Sequence, residues 1–239
     1  MKNKNTIIYI AITALFLVAT IVTDILYING DNAYLYKTLA SAVFVLCAVV
    51  NIILACVLKA TSNKKYMILM LIGQLFAFAG DILLIKSTTF TLGAIMFAVG
   101  HVFFFVSYCF IKPFKLLDLA FIGGAIAISL AIIFASGVNL GSYLPLVLAY
   151  AVVISCMLGK SATLIFFDLK IGLIAFLGSL MFYISDMFLM FAMFGGMGRK
   201  GSILCLVFYY PAEFVLATSI SLINILLKRK NSNDQPAIN

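Results

Sequence analysis

Two short stretches each place one carboxylate in strongly apolar surroundings. "FAFAGDILLI", Phe76 to Ile85, holds Asp81, and "FYISDMFLMF", Phe182 to Phe191, holds Asp186. In both, a small residue precedes the acid and bulky apolar residues follow. An ionised carboxylate at mid-bilayer costs at least about 2.5 kcal/mol, so each acid needs a partner, water or a proton. Two carboxyl groups close together in a low-dielectric cavity do not comfortably both ionise, which leaves an acid beside a carboxylate base. Glycosidases divide their labour that way, one carboxyl donating a proton while the other stabilises an oxocarbenium-like cation or activates water. A vinyl ether makes a similar demand. Protonation at its outer alkene carbon gives an oxocarbenium ion, water adds, and the hemiacetal collapses to an aldehyde and an alcohol. That chemistry calls for no cofactor and no metal.

Other polar residues fall in apolar runs: Asp24, His101, which is the sole histidine, and Glu213, with Lys37 at the start of the second run. Measured along helices, Asp81 and Asp186 sit roughly 22 Å above the inner boundary, and His101 and Glu213 roughly 16 Å below the outer one. The whole ionisable set is thus expected in the outer half, around a polar cavity that opens outward. Helical spacing adds Gln74 two turns before Asp81, Ser179 and Tyr183 two turns and one turn before Asp186, Tyr209 and Tyr210 one turn before Glu213, and Tyr108 two turns after His101. These side chains are candidates to orient the acids. One histidine among carboxylates is a weak signal for a metal, since zinc sites commonly use several histidines or cysteines. No Ser-His-Asp motif, glycine elbow or phosphate-cradling loop is present.

The elements that must position these residues follow from composition. Of 239 residues, 65% are hydrophobic and 10% charged, too apolar for a soluble domain. At about 20 residues per crossing, the chain supplies eight runs: 6–28, 34–58, 66–86, 90–111, 116–136, 142–159, 171–194 and 202–227. The fold expected is an all-α integral membrane bundle of eight helices, a single domain over 1–228, with 229–239 a mobile polar tail. The first run is too long for a cleaved signal core and reads as a retained helix. With both termini cytoplasmic, twelve Lys and Arg fall inside and four outside, as the positive-inside rule requires. The net charge of +8 is therefore topological, and no nucleic-acid partner is expected. The plasma membrane is the expected location. The five cysteines show no paired spacing and read as small buried apolar residues.

The two Asp motifs lie four helices apart, on helices of the same direction, as two parallel four-helix repeats would place them. Small residues such as Gly73, Gly80, Gly93 and Gly100 let helices approach closely. Pro211 is expected to kink the last helix.

"GDILL" at Asp81, "GHVFFFVSY" at His101, "SDMFLMF" at Asp186 and "FYYPAEFVLA" at Glu213, in that order on alternating spans, resemble the YhhN-like family of eight-helix membrane lysoplasmalogenases. The resemblance runs from the second span to the eighth. It implies hydrolysis of the vinyl ether bond of lysoplasmalogens to a fatty aldehyde and a glycerophosphoethanolamine or glycerophosphocholine. It also implies Asp81 and Asp186 as the two acidic motifs, His101 as the family histidine, Tyr209 and Tyr210 as the tyrosine pair, and Lys37 as the basic residue opening the second span. Two positions depart from the family pattern: Glu213 stands where Gln is usual, and Thr38 follows Lys37 where Pro is usual.

The expected function is therefore a lysophospholipid ether hydrolase embedded among membrane lipids. Asp81 and Asp186 are the acid and base, His101 orients an acid or water, and Lys37, Tyr209, Tyr210, Glu213, Gln74 and Tyr183 bind substrate. Two rivals remain open from the residues. One is a proton-coupled transporter or lipid carrier with an acidic relay. The other is a metal-dependent lipid amidase, disfavoured by the single histidine.

Overall fold

The computed structural model describes residues 2–233, with side chains from Thr6 onward. Eight helices account for nearly all of it: α1 Lys2–Asn29, α2 Ala33–Val57, α3 Lys64–Leu83, α4 Phe90–Ile111, α5 Leu116–Ala135, α6 Leu144–Thr163, α7 Leu169–Phe194 and α8 Gly198–Asn233. Short 3₁₀ turns precede α4 and flank α6. All eight are long and apolar enough to cross a bilayer, and no strand occurs among the described residues. In lipid the backbone must satisfy itself, so apolar runs of this length become helices.

Polar residues in the connections set where the helices begin. Asn32 accepts from the Leu35 amide, Asn63 from the Tyr66 amide, and Asp168 from the amides of Lys170 and Ile171. The turn between α7 and α8 passes through Gly196 and Gly198, both at positive φ (74° and 48°), where a side chain would be strained.

The most buried element is α8, which packs against α1, α2, α3 and α7; α1 is the least buried. Two hairpins, α3–α4 and α7–α8, form the closest pairs. A Cβ on Gly100 would stand 3.1 Å from the Gly73 carbonyl oxygen, and one on Gly93 would stand 3.2 Å from that of Gly80, so α3 and α4 approach almost backbone to backbone. Neighbour relations in the first four helices recur in the second four. The pairs α1–α2, α2–α3, α3–α4 and α2–α8 correspond to α5–α6, α6–α7, α7–α8 and α6–α4. The contacts of α8 with α1 and α3 have no counterpart of similar extent.

Helix ends differ from those expected by a few residues, and two of the differences matter here. The residues 229–233 continue α8 instead of starting a tail, because Lys230 is held by the Phe167 carbonyl (3.0 Å) and lies over the Phe167 ring. The remainder of that stretch, 234–239, lies outside the described residues. Helix α6 continues to Thr163, so Lys160 belongs to the bundle and not to a linker. Helix α8 runs through Pro211 without interruption. All five cysteines are free; Cys47 and Cys205 are buried, but Cys56 is exposed on the bundle's outer face, contrary to expectation.

Candidate active site

Asp81 lies in the last turn of α3 and Asp186 two turns before the end of α7, so both stand toward the end of the bundle opposite the termini. Both line one cavity of about 300 Å³, together with Lys37, Ser185, Ser202, Cys205 and Tyr209. Phe97, Leu84 and Leu189 complete much of the wall between the two acids.

Asp81 is held from α2 and α8. Ser41 and Tyr209 both donate hydroxyl protons to Oδ2, at 2.6 and 2.7 Å, and the Lys37 ammonium stands 3.4 Å from Oδ1. Lys37 and Ser41 are one turn apart on α2, which puts both on the face toward α3. Two hydroxyl donors and an ammonium favour the carboxylate form.

Asp186 is held from α6 and α4. The Tyr150 hydroxyl donates to Oδ2 at 2.7 Å, and His101 Nε2 lies 2.8 Å from the Tyr150 oxygen and 3.3 Å from the same carboxylate oxygen. Since the one phenolic proton of Tyr150 goes to Asp186, Nε2 of His101 is the donor in this triangle. No hydrogen-bond partner reaches His101 Nδ1 among the described residues.

The two acids therefore occupy corresponding places. Asp81 takes partners from α2 and α8, Asp186 from α6 and α4, and these helices are exchanged by the neighbour relations given above. Aromatic rings join the halves. Phe182 sits edge-on to both His101 (4.5 Å between centroids) and Tyr209 (5.2 Å), and Phe97 packs edge-on to Phe182 and Tyr209.

Not all the residues singled out from sequence come together. Lys37, Asp81, Asp186 and Tyr209 line the cavity, with His101 directly behind Asp186. Tyr183 does not join them. Three residues before Asp186, it is turned toward α5, where it bonds Ser129 (2.7 Å) and lines a separate apolar cavity with Phe121, Leu158 and Phe176. Gln74 donates to the main-chain oxygen of Glu213 at 3.3 Å and not to Asp81, from which it is two turns removed. Glu213 and Tyr210 are buried below the cavity wall, and neither the Glu213 carboxyl nor the Tyr210 hydroxyl finds a hydrogen-bond partner among the described residues. Ser179 and Tyr108 bond each other, at 3.0 Å, instead of orienting an acid. Asp24 is buried on α1, with one carboxyl oxygen unpartnered.

Ser41 and Tyr150 are the site residues that sequence reasoning missed. Ser41 was signalled by its one-turn spacing from Lys37. Tyr150 carries no local signal, lying in "LAYAVV". Also missed was a buried ion pair at the other end of the bundle, Lys160 Nζ to Asp118 Oδ2 at 2.8 Å. Asp118 opens α5 and Lys160 lies in the last turn of α6, so the ionisable set is not confined to the outer half as expected. No group of three or more His, Cys, Asp or Glu side chains converges as a metal site among the described residues.

Residues 32–220 match the model of the YhhN family, from the N-cap of α2 to the middle of α8. The chain belongs to the YhhN family. No curated protein and no solved structure matches it. YhhN membership covers both acidic half-sites and leaves out only α1 and the end of α8 among the helices. It is consistent with a membrane hydrolase.

Proposed function

We propose that this YhhN protein hydrolyses the vinyl ether bond of lysoplasmalogens, releasing a fatty aldehyde and a glycerophosphoethanolamine or glycerophosphocholine. The observation that carries the reading is a single cavity of about 300 Å³ walled by two carboxyl groups in unlike settings, Asp81 beside a cation and Asp186 beside a histidine. A polar pocket inside an apolar bundle suits a substrate with a fatty chain and a reactive bond near its polar end.

The unlike settings support a division of roles. Lys37, Ser41 and Tyr209 give Asp81 a cation and two hydroxyl donors, partners that suit a carboxylate stabilising a positive oxocarbenium carbon and directing water onto it. Asp186, held at Oδ2 by Tyr150 and His101, carries a proton on Oδ1 and delivers it to the outer alkene carbon. Water then bonds to the carbon bearing the ether oxygen and loses a proton to Asp81. Collapse of the hemiacetal returns its hydroxyl proton to Asp186 and breaks the bond to the glycerol oxygen, which leaves as the alcohol with the proton held by Asp81. Lys37, on this reading, serves Asp81 first and the lipid phosphate only at the cavity's edge.

The positive-inside count supports cytoplasmic termini, which sets the cavity toward the opposite side of the membrane; the plasma membrane is the location proposed.

Purified protein incubated with a panel of lysolipids in heavy water, scored by mass spectrometry, tests the proposal. Aldehyde carrying one deuterium on the carbon next to the carbonyl is expected from vinyl ether lysolipids alone. Absence of aldehyde overturns the reading, as does aldehyde without that deuterium.

A further inference from the structure

A second, apolar cleft of about 70 Å³ lies between α4, α6 and α7. Ala94, Leu146, Val147, Ala151, Met187 and Met190 line it, and its polar contacts are Tyr150 and Asp186. It adjoins the polar cavity, since Leu84, Phe90, Phe97, Asp186 and Leu189 belong to both walls. Polarity thus reverses across Asp186. On one side stand Lys37, Asp81, Ser87, Ser202 and Tyr209, on the other aliphatic and aromatic side chains. The polar cavity's mouth is also the basic one: Lys86 is exposed between the lining residues Ile85 and Ser87, and Arg199 and Lys200 are exposed just before Ser202.

We propose that the α4–α6–α7 cleft seats the single hydrocarbon chain of the substrate, with the anionic head on the Lys37 side and the head–chain junction at Asp186. The occupant follows from the paired polarity: a basic, polar compartment beside an apolar one, with Asp186 lining both, matches a molecule with an anionic head and one apolar chain. This assignment rests on the lysolipid reading and sharpens it, because a vinyl ether joins head to chain at the point where the two compartments meet. Ala94 and Ala151 are the small residues that leave the cleft open, and they set the chain's width and reach.

The chain contains no tryptophan, so one introduced residue reports alone. Val147→Trp places it in the cleft; Val152→Trp, at an exposed position on the same helix, serves as the lipid-facing control. The probe is a saturated alkyl-ether lysophosphocholine brominated in mid-chain, which cannot be hydrolysed, added to protein in bilayers of two-chain phosphatidylcholine. Quenching at Val147→Trp is expected to saturate and to be lost on adding Ala151→Phe. Quenching at Val152→Trp is expected to grow with probe content without saturating. Identical profiles at the two positions overturn the proposal, as does saturable quenching that survives Ala151→Phe. Leu146→Trp and Ala94→Phe repeat the measurement if the first pair unfolds. Saturable quenching without aldehyde release would sink the hydrolase reading and leave the chain seat standing; aldehyde release without saturable quenching would do the reverse.

Discussion

The two ends of the bundle each bury a lysine against an aspartate, and they do so differently. At the terminus-bearing end, Asp118 accepts from Lys160, the Lys115 amide and Thr163, while Lys160 also reaches the Pro113 carbonyl and lies over the Phe114 ring. Neither Asp118 nor Lys160 lines any of the three cavities described. At the opposite end, Lys37 and Asp81 meet at a looser 3.4 Å and both face open space. A buried ion pair is weak evidence of function by itself; tight mutual satisfaction marks a joint, here between the α4–α5 connection and α6. A charge whose surroundings include room for another molecule marks a place for chemistry. The contrast can be broken by substitution.

The largest effect is expected at the acids that line the cavity. Asp186→Asn and Asp81→Asn should each lower aldehyde release by about a thousandfold or more, the scale of a lost general acid or base, with little change in folded yield. Asp118→Asn should leave turnover per folded molecule unchanged. A cavity Asn variant retaining full activity would remove the distinction.

Stability should show the reverse. Lys160→Met strands Asp118 and is expected to cost about 3–5 kcal/mol in unfolding experiments in detergent. Lys37→Met, at the cavity, should cost clearly less, because Ser41 and Tyr209 still hold Asp81. Equal losses would make both pairs joints.

A smaller effect compares the two acidic halves. Tyr150→Phe and Tyr209→Phe each remove one hydroxyl bonded to a carboxylate, worth about 1.5–3 kcal/mol, or roughly tenfold to a hundredfold in kcat/KM. Tyr150→Phe should also change the pH profile, since it severs His101 from its short contact, whereas Tyr209→Phe should lower the rate with the profile intact. The smallest effect belongs to Tyr183→Phe. Its hydroxyl meets Ser129 across α5, so activity should change by less than about twofold and stability by roughly 1 kcal/mol.

The bundle was readable from sequence because apolar length is a physical requirement of the bilayer, and all eight runs became helices with ends shifted by a few residues. The acids were readable for the converse reason, a charge being costly there. Their partners were less so. Helical spacing places Tyr183, Gln74 and Ser179 near the acids along the helix, but a separation of three or seven residues does not decide which neighbouring helix a side chain meets. Tyr183 turned to α5 and Ser179 to Tyr108. Tyr150 lies 36 residues before Asp186 on the preceding helix, and only the packing of α6 against α4 and α7 brings the two together. Lys160 was hidden because a lysine at the end of an apolar run looks like an ordinary boundary marker.

Gly80, immediately before Asp81, has no side chain to place, and a methyl group there would come within 2.7 Å of the Phe97 ring. That ring borders both compartments. The wall that the two compartments share is therefore gauged by an absent atom on a neighbouring helix: Gly80→Ala alters no reacting group, yet displaces the Phe97 ring.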